Sequence, residues 1–189
     1  MMLTVYIDFK SAQSYLAIKP TLELAGRLNL AIDWRAFRTV ERDVPKVGAD
    51  ETVGERHRRV RAASQRALSI KYAAHQGLEL NFPDALGASD LALGALSLLA
   101  GDKLPFIEAA FEAYWVRHRD LDDAETVLSL LDQIGAAPLD LSSARAALIG
   151  AQGSAEETGI VGAPAYVIAD QIFVGREHLP WIEEIATAA

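Results

Sequence analysis

Two serines three residues apart, Ser11 and Ser14 in the stretch DFKSAQSYLA (8–17), stand where an apolar strand pattern gives way to a helical one. A serine hydroxyl at a helix entrance can accept a backbone N–H as an N-cap, worth about 1 kcal/mol. It can also donate to an anion held by the unpaired N–H groups and the positive dipole end found there. A thiol of ordinary pKa, about 8.5, ionises more readily in such a setting. The chain of 189 residues contains no cysteine, so thiolate, disulfide or iron–sulfur chemistry of its own is excluded. Any sulfur chemistry at Ser11 must therefore use a thiol brought from outside.

Other residue types with chemical reach are few. Pro164, in the run GAPAYVI, leads into a second β-rich segment, where a ring-fixed backbone shapes the approach to the strand. The cluster ERHRRVR, with Arg56, Arg58 and Arg59, offers cations to an anionic ligand, but the apolar residues interleaved with it suit a solvated amphipathic face. Arg117, His118 and Arg119 follow Trp115 at the end of a helical pattern, where cations favour the negative dipole end. The four histidines show no metal-ligand spacing, and no phosphate loop, dinucleotide fingerprint or nucleophile elbow occurs, so no metal site is expected.

The elements that must position these residues follow from periodicity. LTVYIDF alternates Leu3, Val5, Ile7 and Phe9 with polar or amphipathic partners and predicts a strand. A helix with Ser11 or Ser14 as N-cap should run to about Asn29, with a kink expected at Pro20. LAIDWRAF (30–37) alternates again, which makes the first forty residues β-α-β with a parallel strand pair. From about 55 to 150 the pattern is helical almost throughout. Val60, Ala63, Ala67, Ile70 and Ala74 define the apolar face of the first of these helices, and Asp122 with Glu125 resembles a capping box. Ala165–Ile168 and Ile172–Val174, joined through Asp170 and Gln171, suit a hairpin, and a helix from about Leu179 to Thr187 ends the order. Two domains are expected, one made of residues 1–40 and 150–189 and one helical insertion at 41–149.

A net charge of −8 opposes binding to nucleic acid or an anionic membrane surface. No segment reaches the roughly 20 apolar residues of a membrane span. The N-terminal MMLTVYIDFK also lacks the basic and apolar regions of an export signal. Cytoplasmic residence and a small-molecule partner are the expectations.

The order of elements resembles a thioredoxin fold of the DsbA type, with Ser11-Ala12-Gln13-Ser14 in place of a C-x-x-C redox motif. The run DFKSAQSYL is similar to the D-F-x-S-P-Y-x-Y-L entrance of the 2-hydroxychromene-2-carboxylate isomerase and kappa-class glutathione transferase group. AYWVRHRDLDD (113–123), GIVGAPAYVI (159–168) and IFVGREHLPWIEE (172–184) resemble that group's later segments in order and spacing. The chain differs in having Ala12 for the proline, Gln13 for an aromatic residue and Arg176-Glu177 for Ser-Asp. VERDVPKVGADETVG (40–54) supplies no counterpart of the group's asparagine after the second strand.

The resemblance implies an α/β thioredoxin fold (β-α-β, then β-β-α) with a large all-helical insertion, and glutathione as cofactor. It further implies that Ser11 donates to the glutathione sulfur and that Ala163 and a cis Pro164 pair with its backbone. Arg176 and Glu177 would then grip its ends, and Tyr15, Trp115 and Arg119 would line the substrate side. The implied activity is a glutathione-dependent isomerase or transferase on a small aromatic or electrophilic substrate, and homodimers are common in the group. Direct dithiol oxidoreductase chemistry is ruled out by the missing cysteines. The alternative is a catalytically degenerate protein that binds a peptide or small acid in the same cleft. A third reading is an interaction module using Arg56, Arg58 and Arg59.

Overall fold

Four strands form one mixed sheet in the order β2-β1-β3-β4 in the computed structural model, which describes residues 1–40, 44 and 51–188. β1 (Met2–Ile7) pairs in parallel with β2 (Ala31–Ala36), setting Leu3 against Ile32, Val5 against Trp34 and Ile7 against Ala36. It pairs in antiparallel fashion with β3 (Ala165–Ile168), which continues into β4 (Gln171–Val174). Leu3, Val5, Ile7 and Phe9 are fully buried, as the alternation requires. Tyr6 and Asp8 are buried too, because β1 is an inner strand covered on both faces. The hairpin turns at Ala169 and Asp170, both at positive φ as a type I′ turn demands, one residue earlier than expected. Gln171 is therefore the first residue of β4, opposite Ile168.

The crossover between β1 and β2 is α1 (Ala12–Leu28). Ser11 caps its start, and Asn29, at φ 52°, ends it in the left-handed conformation that asparagine tolerates. The helix continues through Pro20 and buries Leu16, Ala17, Leu24 and Ala25. After it come α2 (Val53–Gln76), α3 (Asp90–Leu98), α4 (Leu104–Trp115), α5 (Ala124–Gln133), α6 (Ala144–Glu157) and α7 (Leu179–Ala188). Among the described residues no helix is long and apolar enough to cross a membrane.

The chain divides into two compact units, one of Met1–Thr39 with Asn81–Ala189 and the other of Val40–Leu80. The expected division at 41–149 is thus not the observed one. α6 runs through position 149 without a break, and Ala155 and Ile160 join Tyr6, Phe37 and Ala165 in one core cluster, so α3 to α6 fold with the sheet. Where α3 crosses α6, Gly94 lies so close to the Ala144 carbonyl that a β-carbon would collide with it. Most of the stretch 40–54, which supplies no counterpart of the group's asparagine, lies outside the described residues.

The second unit contains α2, opened by a capping box in which Thr52 and Glu55 bond reciprocally and closed by Gly77 at φ 71°. Its expected apolar face is exposed: Val60 is 50% and Ile70 46% accessible, whereas Ser69 and Ala73 are buried. A stripe made largely of alanine carries too little apolar area to decide which face turns inward. The N-cap of α5 is Asp123 and not Asp122; the Asp122 carboxylate instead accepts from the Leu91 N–H and from Arg145.

Candidate functional site

The end of β1 turns sharply into α1. The Ser11 N–H donates to the Asp8 carbonyl at 3.1 Å, and the Tyr15 N–H closes the first helical bond onto the Ser11 carbonyl, also at 3.1 Å. The Ser11 hydroxyl oxygen accepts from the Ser14 N–H at 3.2 Å, the bond of an N-cap. The same hydroxyl donates to the Ala163 carbonyl at 3.4 Å, across 152 positions of sequence. Such a bond is long for an O–H donor, whose usual distance is about 2.7–2.8 Å, so the hydroxyl proton is held loosely. Ser11 and Ala163 are half-buried. Ser14 is fully buried and structural: its hydroxyl accepts the Asp8 N–H at 3.2 Å.

Opposite Ser11, the Ala163–Pro164 peptide is cis and leads into β3. The Pro164 carbonyl accepts the Gly175 N–H at 2.9 Å, which fastens the end of β4 to this corner. Gly175 has φ 104°, a conformation that favours glycine, with the flexible Glu177 carboxylate lying over the position a β-carbon would take. Arg176 and Glu177 follow in a single 3₁₀ turn and lie within electrostatic reach of Tyr166. Tyr166 is buried, shares a 3.0 Å hydrogen bond with Thr21, and has its hydroxyl pKa pushed up to about 12, chiefly by burial.

The aromatic neighbours of the entrance are tied together. Tyr15, half-buried in the first turn of α1, stacks on Phe111 with centroids 5.3 Å apart, and Phe111 meets Phe9 edge-on at 5.2 Å. Trp115 is buried, and its indole N–H donates to the Phe9 carbonyl at 2.9 Å, bracing the backbone two residues before Ser11. Arg119 reaches α5 instead, donating to Ser129 at 3.1 Å and Thr126 at 3.3 Å. The structure thus brings Ser11, Ala163 and Pro164 together, sets Arg176 and Glu177 on the segment that Gly175 anchors, and keeps Tyr15 at the entrance. Trp115 reaches the site through its indole bond to the Phe9 carbonyl, and Arg119 is engaged by α5.

α1 has no acidic side chain in its first turn. Among the described residues no group of three or more His, Asp or Glu side chains could hold a metal. A separate cleft of about 290 Å³, lined by Leu22, Ile32, Asp33, Trp34 and Lys103 among others, shares no residue with the Ser11 group. Sequence reading places Asp8 only in the entrance motif and Ser89 only before a helix, yet with the half-buried Thr39 they form a polar cluster at the same end of the sheet. A lone aspartate between Ile7 and Phe9 was the available signal.

The model of the DSBA-like thioredoxin domain family matches residues 2–185, from the start of β1 through the Ser11 helix entrance and the cis Pro164 before β3 to α7. The chain belongs to that family. Within it, the chain is similar to 2-hydroxychromene-2-carboxylate isomerase of Sphingobium xenophagum, with 28% identity over 191 residues that cover 94% of each chain. Among solved structures it is similar to a 2-hydroxychromene-2-carboxylate isomerase, with a TM-score of 0.72 and 21% identity over 100% of this chain and 95% of the other. It is also similar to the cytosolic disulfide reductase DsbM of Pseudomonas aeruginosa, solved with GSH, at a TM-score of 0.60 and 14% identity over 100% of this chain and 96% of the other. The expected DsbA-like thioredoxin fold with added helices is therefore the observed one, in a member of the family that contains no cysteine.

Proposed function

We propose that this protein is a glutathione-dependent isomerase or transferase, similar to 2-hydroxychromene-2-carboxylate isomerase, acting on a small aromatic or electrophilic substrate. The observation that carries the reading is the Ser11 hydroxyl, loosely bound at 3.4 Å to the Ala163 carbonyl and set at a helix start with no acidic side chain in its first turn. These groups fit glutathione. A thiolate at the start of α1 meets a hydroxyl donor and the positive helix end, and an extended peptide can pair with the Ala163 backbone in β fashion. When bound, glutathione supplies the nucleophilic thiolate that the cysteine-free chain lacks, for reversible addition to a conjugated substrate.

The chain's own residues then have defined tasks. Ser11 turns its proton from the Ala163 carbonyl to the ligand sulfur and holds that sulfur ionised. Ala163 gives its freed carbonyl to a ligand N–H, while Glu177 accepts from the ligand ammonium and Arg176 donates to a ligand carboxylate. Tyr15 forms an apolar wall at the entrance for the substrate ring, with Trp115 steadying the backbone at Phe9.

Calorimetric titration with reduced glutathione tests the reading. Wild type should bind at millimolar concentration or tighter, and Ser11→Ala should bind about tenfold more weakly, the loss expected for one charge-assisted hydrogen bond. Isomerisation of 2-hydroxychromene-2-carboxylate should require added glutathione and fall with the same substitution. An absence of heat at millimolar glutathione would reject the proposal. Heat without turnover of any conjugated substrate would favour the alternative, a binding protein without chemistry, to which Ala12 and Gln13 in the entrance motif also point.

A further inference from the structure

Asp8 is fully buried, and its carboxylate accepts from four donors. Oδ1 takes the Lys10 N–H at 3.2 Å and the Ser89 hydroxyl at 3.1 Å; Oδ2 takes the Thr39 N–H at 2.8 Å and the Thr39 hydroxyl at 2.6 Å. Those donors come from three separate places: the turn after β1, the end of the β2 segment and the start of α3. The Asp8 backbone is engaged as well, its N–H on the Ser14 hydroxyl and its carbonyl on the Ser11 N–H. Every polar group of the residue is thus bonded either to the segment that carries Ser11 or to the two segments beside it.

Burial pushes this carboxyl above its usual range, against the pull of the two Thr39 donors and of Lys10. A buried carboxylate is an expensive way to join three segments, since a well-packed apolar side chain often serves stability as well or better. What an apolar side chain cannot do is set the direction of a turn. The Lys10 N–H on the carboxylate and the Ser11 N–H on the carbonyl form such a turn immediately before the N-cap, an arrangement natural to aspartate.

We infer that Asp8 is a positioning residue for the proposed chemistry, fixing the turn from Lys10 to Ser14 so that the Ser11 hydroxyl stays within reach of the Ala163 carbonyl and the incoming sulfur. The inference rests on the reading of Ser11 as the group that meets the ligand. A role in stability alone would leave Ser11 and Asp8 energetically independent; a positioning role couples them.

Asp8→Asn keeps the shape but turns an amide donor toward groups that are themselves donors. In calorimetry its glutathione affinity should fall about tenfold, and in a Ser11→Ala background the same change should have almost no further effect. Equal losses in both backgrounds would overturn the inference. A second measurement needs no ligand. In amide hydrogen exchange, Asp8→Asn should speed the Lys10 and Ser14 amides by about tenfold while Thr4, Val5 and Tyr6 in β1 keep their wild-type rates. Uniform acceleration along β1, or no change at Lys10 and Ser14, would overturn it. If Asp8→Asn fails to fold, Ser89→Ala removes one of the four donors and should produce the same local pattern at smaller size. If wild type binds no glutathione, the proposed function fails, and the exchange pattern alone decides whether Asp8 governs this turn.

Discussion

Ser11 uses one oxygen for two purposes: a lone pair caps α1 through the Ser14 N–H, and the proton is directed to Ala163. The structural and the functional reading of this serine are therefore compatible, and only the loosely held proton distinguishes them. Tyr166 offers a separate test at this scale. The folded protein holds its phenolic proton more tightly than the unfolded chain does, so stability should fall as pH rises from 10.0 through about 12. Tyr166→Phe has no proton to lose and should gain on wild type by about 2 to 3 kcal/mol across that range, measured by denaturant unfolding at each pH. Ser11 was legible because a serine at a strand-to-helix switch has few jobs available to it. The contribution of Asp8 was not, because its partners Thr39 and Ser89 lie 31 and 81 positions away, and pairing over that distance leaves no local pattern.

At the scale of elements, α1 stops at Asn29 close to where its pattern ends, whereas α5 is capped by Asp123 and not by Asp122. Asn29 and Gly77 end their helices in the left-handed conformation, and Ile107, Ala110, Phe111 and Tyr114 of α4 are buried. In α2 the inward face was misjudged, because small residues occur on both sides and the larger apolar ones are dispersed. The crossing of α3 and α6 depends on a residue with no side chain. Gly94→Ala would drive a methyl into the Ala144 carbonyl, and since backbone cannot swing aside as a flexible side chain can, the variant should lose about 1–3 kcal/mol in thermal or denaturant unfolding. A wild-type melting curve would show that the two helices can separate at little cost.

For the whole molecule, the order of strands and helices was readable because each strand is bounded by a helix cap or a tight turn. The division into units was not, because helical periodicity does not reveal which body a helix joins. α6 packs with the sheet although its pattern is continuous with the helical block. Charge acts at this scale too. A net charge of −8 should carry the protein unretained through a heparin column at pH 7 and 0.15 M salt, although α2 bears a run of arginines. Two of these, Arg56 and Arg59, are already paired with Glu51. Retention that vanished on replacing Arg58 and Arg61 would show that the local cluster outweighs the overall field.

The 152-position span between Ser11 and Ala163 also bears on how the protein is made. During translation β1 and α1 leave the ribosome long before the strand that completes the corner. Until β3 follows, a nascent chain carries an inner strand without its antiparallel partner, and the corner between Ser11 and Ala163 stays unformed.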